Sequence, residues 1–541
     1  MSRRHHPHSK PARDDVDTAL AALPADALRE VVREMLLELD GKAHARVING
    51  LIQRAARSGS GWAPGAVDDE QVAEVLAFTK AAERVGRADP SVIDEYLRRG
   101  SAAFLRKNYA AARQILGALL RPIGDGEIDL GQDEMAEEML GADTGQCAAQ
   151  YVVSAYMLSP PADRAAAVRT AIAEVQELGH FWEPIRELER VAVEPLPGLK
   201  DFLSEWRALI VQKPASGRRS DWDTEEDRWL REVVQRLEGS EGLAKVARTT
   251  KRADDLRAWC TSLVDARDWP AALPAFEEAA GIVVDTDHAR AELLDGAALA
   301  AQRLGHKDLS AWLERAWRAG PSMLRLRRWL GSADSKASLL KRASEALLAC
   351  PTQAARERAF LHMLMGEFEM AAKLLAVAPG LGWSNGEHPG HLLFPLFTRL
   401  LGGKKKTTAP RTALRQHMDL DELDELDDLD DLDDLDALDD GPHLAAPEVD
   451  ALLELAGIAT IQNPQARNAV MAAMRKAAEN RLAGVTEEKR RRHYGEAAVL
   501  VGACVSSDAS QDTARWAASL RTEYKRFPAL RAELDRVLGV S

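Results

Sequence analysis

The spacing of apolar residues restricts the fold more than any other feature, because it is helical over most of the sequence. Leu28, Val31, Val32, Met35, Leu36 and Leu39 fall at i, i+3, i+4, i+7, i+8 and i+11 and make one face. Asp40 and Gly41 interrupt the pattern, and a second face follows at Val47, Ile48, Leu51, Ile52 and Ala55. Two amphipathic helices joined by a short polar turn form an antiparallel hairpin whose apolar side has to be buried against something else. Similar stretches continue to about residue 400, broken by glycine and proline at Gly59 to Gly65, Gly124 to Gly131, Pro160 and Pro161, Pro195 to Gly198, Pro214 to Gly217, Gly239, Gly305, Pro321 and Pro379 to Gly390. Apolar residues make up 46% of the chain but aromatics only 5%. Alanine and leucine dominate, which suits closely packed helices and not sheets. The expected fold class is all-α.

Three hairpins share a local pattern. Gly100 to Pro122 reads GSAAFLRKNYAAARQILGALLRP, Cys260 to Ala280 reads CTSLVDARDWPAALPAFEEAA, and Ala359 to Pro379 reads AFLHMLMGEFEMAAKLLAVAP. Aligned on their first residues, they place Tyr109, Trp269 and Phe368 together, then Ala112, Ala272 and Ala371, then Leu116, Phe276 and Leu375. This resembles the second half of tetratricopeptide (TPR) repeats. A looser copy runs from Leu299 through Gly305 to Pro321. The resemblance implies an irregular TPR-like α-solenoid that binds a peptide or protein on a concave face. The copies are not in tandem and lack the Trp and Leu-Gly signature of the first helix. The competing expectation is one or more globular helical domains.

The net charge of −14 belongs to one segment. Residues 419–440 hold fourteen acids, seven leucines and no basic residue; outside them, 71 acidic side chains face 71 basic ones. A neutral body gives no support to a broadly basic nucleic-acid-binding surface. The leucines recur every third residue, at Leu420, Leu423, Leu426, Leu429, Leu432, Leu435 and Leu438. On an α-helix each would step back about 60°, so the seven circle the axis and make no apolar face. Three readings stay open: a spacer extended by its own repulsion, a docking motif with leucines in a groove and acids on a basic rim, and a mimic of nucleic-acid charge. No calcium loop is expected, for want of the turn glycine and terminal glutamate.

After Gly441 helical patterning resumes. Asn468 to Leu538 resembles the helical tails of some bacterial SWIM zinc-finger proteins, but the finger itself is absent and no zinc is implied. The basic run Lys489 to Arg492 sits beside Glu487 and Glu488 and reads as a solvated face, so no nucleic-acid partner is expected. The expected organisation is a basic His-containing tail over 1–24 (with His5, His6 and His8), a solenoid over 25–403, a disordered acidic linker over 404–446 and a smaller helical module over 447–541.

Catalytic motifs are few. No phosphate-binding or dinucleotide glycine loop and no H-E-x-x-H is present. Gly382 to Gly386 matches G-x-S-x-G, but the nucleophile elbow needs a strand before it, and the preceding Ala371 to Ala378 is helical in pattern. The same loop continues with Glu387, His388 and His391, a metal-ligand set whose spacing is not the helical i, i+4 one. Trp383 should pack inward. This 382–391 loop is the preferred small site, with Trp383, Ser384, Glu387, His388 and His391 as candidate interaction residues beside the leucines of the acidic run. His180 to Pro184 reads as a helix end with aromatics entering the core. Cys147, Cys260, Cys350 and Cys504 are far apart and read as buried thiols in a reducing compartment. The most apolar short run, Leu392 to Leu401, is too short and too interrupted to cross a membrane and reads as a buried helix.

The preferred reading is a non-enzymatic cytoplasmic scaffold or adaptor that binds a protein or peptide, with no cofactor, no catalytic residue and no metal. The alternatives are a helical hydrolase or metal-dependent enzyme centred on 382–391, and an acidic nucleic-acid mimic regulating a basic partner. Partner identity and oligomeric state are not written in the sequence.

Overall fold

A computed structural model describes residues 13–39, 41–131, 136–211, 223–284, 287–383, 387–402 and 443–540. Among these there is no strand, only an isolated bridge between Arg87 and Asp129, and the fold is all-α. The N-terminal tail to residue 12, Ser384 and the acidic run lie outside the described residues. The chain divides into two compact units, Met1–Leu243 and Ala244–Ser541.

The first unit begins with α1 (Arg13–Ala22), α2 (Ala25–Glu38) and α3 (Gly41–Arg57), and continues through α4 (Asp69–Val85), α5 (Pro90–Leu105), α6 (Tyr109–Gly124) and the single turn α7 (Ala136–Met139). It then runs through α8 (Thr144–Leu158), α9 (Arg164–Val175), α10 (Pro184–Val191) and α11 (Leu199–Val211). Polar residues start many of these helices. At α4, the Asp68 carboxylate accepts from the Gln71 N–H while the Gln71 side chain accepts from the Asp68 N–H. Asp89, Asn108 and Asp143 cap α5, α6 and α8 with their side chains. α8 packs against α6 and α9, so it is buried on most of its circumference, from Cys147 to Tyr156. A Cβ on Gly117 of α6 would lie 2.7 Å from the Tyr151 ring, so glycine there sets how closely α6 and α8 approach.

α12 (Glu225–Thr250) is broken at Gly239, which adopts φ +64, and the boundary between the two units falls within this helix. The second unit runs through α13 (Ala253–Asp265), α14 (Trp269–Ile282), α15 (Asp287–Arg303), α16 (Leu309–Ala319), α17 (Met323–Gly331), α18 (Lys336–Ala349), α19 (Ala355–Leu364) and α20 (Phe368–Val377). Each of these packs on the next. α21 (Pro389–Gly402) precedes the acidic run, and α22 (Val449–Ala456), α23 (Pro464–Glu487), α24 (Tyr494–Ser507), α25 (Gln511–Glu523) and α26 (Pro528–Leu538) follow it.

The three matched hairpins share one turn. Tyr109, Trp269 and Phe368 each open the second helix, and Gly100, Cys260 and Ala359 are buried at the matching place in the first. Lys107, Arg267 and Gly366 take positive φ at 63°, 55° and 75°. Their N–H groups bond three residues back, and those of Asn108, Asp268 and Glu367 bond five back. This is the Schellman closure of a helix. Gly305 of the looser copy makes the same pair of bonds with His306. Ala112, Ala272 and Ala371 are fully buried where the helices cross.

The structure corrects three sequence expectations. The acidic run does not divide two cores: one hydrophobic cluster takes in Trp317, Trp329, Phe360 and Phe397 before it and Leu453, Met474, Leu482, Val501 and Leu534 after it. α23 packs on α20 as the next layer of the stack. The linker is also shorter than expected, because Leu444 is buried in that cluster and the carbonyls of Leu444 and Pro447 accept from Arg328 and Arg327 of α17. Trp182 does not enter the core; it lies 61% exposed with the Arg228 guanidinium over its ring, while Phe181 is buried. The apolar run at 392–401, in contrast, is the buried helix α21, and no described helix is long and apolar enough to cross a membrane.

A shared core predicts that residues 244–402 alone show no cooperative thermal transition, and that co-expression with residues 443–541 restores one. Calorimetry of the two preparations checks this.

Candidate functional site

The 382–391 loop lies in the second unit between α20 and α21, and the segment that leads into it, Ala378 to Leu381, is held against α23. Its anchor is a backbone crossing: a Cβ on Gly380 would fall 1.9 Å from the Asn480 carbonyl oxygen, and Gly484 faces the same loop one turn on. Only glycine allows this approach. The Asn480 amide donates to the carbonyls of Ala376 and Ala378, both at 3.3 Å, which satisfies the open C-terminus of α20. Arg481 donates to the Gly380 carbonyl (3.3 Å) and to the Glu496 carboxylate on α24 (2.7 Å). Both side chains of that ion pair are almost fully buried.

Beyond Gly382, which sits at φ +102, Trp383 turns inward and is buried. Its ring centroid lies 4.6 Å from His388, 5.5 Å from His391 and 6.2 Å from Phe394. Gly390 leaves the space that the Trp383 indole fills, since a Cβ there would come 2.5 Å from it. His388 Nδ1 accepts from the Gly390 N–H (3.0 Å), so the proton lies on Nε2, which donates to the Pro379 carbonyl (3.1 Å). Burial, aided by the Arg481 charge, holds the His388 pKa below its usual 6.5. His493, with Nδ1 3.4 Å from Glu496, is likewise lowered, first by burial and then by Arg481.

The structure therefore gathers Trp383, His388 and His391 into one aromatic cluster, while Glu387 sits at the exposed turn above it. Ser384 and the leucines Leu420 to Leu435 lie outside the described residues. Both nitrogens of His388 are committed to the backbone, so the cluster fastens a connector; proton transfer or metal ligation by this imidazole would cost one of those bonds. Sequence reading missed Asn480, Arg481, His493 and Glu496. A signal did exist: Arg481 stands in an apolar stripe with Ala477, Ala478 and Val485 at helical spacing, where a charge implies a buried partner. All four cysteines are buried and unpaired, with burial raising Cys147 and Cys260 to about 12, Cys350 to about 11, and Cys504 as well. Such thiols are poor nucleophiles.

The first unit carries a concave surface that the sequence did not single out. A groove of about 530 Å³ runs over α4, α6, α8 and α9. Glu83, Asp125, Glu127 and Glu174 contribute acids to it, and Arg113 and Arg121 contribute bases. On its floor the Tyr151 hydroxyl donates to Glu174 (2.5 Å), which Arg121 also approaches at 3.4 Å. Burial, then the Glu174 contact, raises the Tyr151 pKa, so the phenol remains a donor.

Comparison with protein-family models, curated proteins and solved structures gives no significant match to any of them.

A depressed histidine pKa has a defined sign. The unfolded chain takes up the proton near 6.5 while folded His388 resists it, so this group's contribution is complete above 6.5 and is lost as pH falls through it. The stabilisation supplied by this histidine should therefore shrink between pH 7.5 and 5.5, whereas Glu232 of the first unit, raised by burial to about 7, acts in the opposite direction over the same window. The H388N variant keeps an acceptor for the Gly390 N–H but loses the Pro379 bond, so it should be less stable at pH 7.5 by ~1 kcal/mol. Its deficit relative to the parent chain should be smaller at pH 5.5, measurable by thermal melts at the two pH values.

Proposed function

We propose that the protein is a non-enzymatic interaction scaffold that binds a peptide segment of a protein partner along the groove of the first unit. The observation that carries this reading is the groove's course across helices of successive hairpins, the surface that helical-repeat proteins use for extended ligands. The common turn and buried alanines of the three matched hairpins support a TPR-like reading of the scaffold. Acids outnumber bases in the groove, which favours a basic peptide. The acidic run at 419–440 adds to that preference by attracting a basic partner over about a Debye length. Buried, unpaired cysteines suit a reducing compartment, and we place the protein in the cytoplasm.

The test is photo-crosslinking from the groove position Gln114, in the full chain and in a D125K/E127K variant. A protein partner should crosslink to the parent chain, and the charge-reversed variant should lose most of the yield with an unchanged thermal melt. Equal crosslinking by both chains would remove the groove as the binding surface.

A further inference from the structure

The N-terminal hairpin leaves its best apolar stripe uncovered. α2 has no buried residue; Val31, Val32 and Met35, at the centre of its stripe, are 38%, 37% and 60% exposed. On α3, Ile52 and Ala56 pack on the core of the first unit, while Val47 and Leu51 are 42% and 40% exposed. α3 thus anchors the hairpin, and both helices expose apolar residues. A monomer gains nothing from such exposure, and large apolar patches mark association sites.

Charge identifies the occupant. α2 carries Asp26, Glu30, Glu34 and Glu38 against two arginines, whereas α3 carries Lys42, Arg46, Arg54 and Arg57 and no acid. Glu34 stands three residues beyond Val31, and Arg54 three beyond Leu51; Arg29, three before Val32 on the other edge of the α2 stripe, is paired with Asp26, so the unpaired flank of α2 is acidic and that of α3 basic. A surface that holds an apolar stripe with an acidic flank beside one with a basic flank is complementary to itself when turned by a two-fold axis parallel to the helices. An anionic lipid surface would instead need both helices to be basic. We infer that the hairpin docks on a second copy of this chain, with α2 of each copy lying on α3 of the other in a four-helix bundle. This surface is separate from the groove, and the inference does not depend on what the groove binds.

Light scattering of the full chain at micromolar concentration tests it. The expected mass is twice the 59.2 kDa of one chain. V31E/M35E should run at a single chain mass with unchanged helicity and melting. Charge reversal by E34K/E38K should weaken the dimer about tenfold or more through like-charge apposition. Adding R46E/R54E to that chain should restore it, which a folding defect would not do. A parent chain that stays monomeric, a V31E/M35E variant that stays dimeric, or a failure of the second reversal to restore association would each overturn the inference.

Discussion

The second unit depends on one buried ion pair. A guanidinium taken out of water has to find a counter-charge and acceptors, and breaking such a pair costs ~3–5 kcal/mol because the surviving charge stays buried. Arg481 meets that requirement with two partners distant in sequence: Glu496 on α24, and the Gly380 carbonyl in the loop that leaves α20. The loop, α23 and α24 therefore lock together or not at all. Gly380 and Gly484 make the approach sterically possible, and Asn480 completes the exposed end of α20. Trp383 and His388 then settle against this frame with low exposure and satisfied hydrogen bonds.

The cluster that looked most like chemistry is held by backbone hydrogen bonds and close packing. Its histidine is neutral and spends both nitrogens on the backbone, and its tryptophan fills the space that Gly390 leaves. The same economy runs through the hairpins, where close helix crossings rely on alanine or glycine opposite a large side chain. Gly100 faces Leu116, Gly117 faces Tyr151 and Gly296 faces Phe276. Packing of this kind needs few aromatics, which explains how 5% of them suffices for a chain of 541 residues. Two surfaces of the first unit remain outside this packing: a charged groove over α4 to α9, and the exposed apolar residues of α2 and α3.

The sequence by itself determined the all-α class, the hairpin turns and the burial of the alanines that follow them, because helical period and capping are local properties. It also located the inward tryptophan at 383 and the buried helix at 392–401, since an apolar run that cannot span a membrane has to be covered. Only tertiary structure decided the rest. Helices after residue 442 join the core built before residue 402, an outcome that periodicity cannot encode because an amphipathic face does not specify what covers it. Arg481 and Glu496 find each other from different helices, and the groove's charges converge from three helices and the loop after α6. The exposed stripe of α2 is the counterpart: sequence demanded that this face be buried, and among the described residues none of it is.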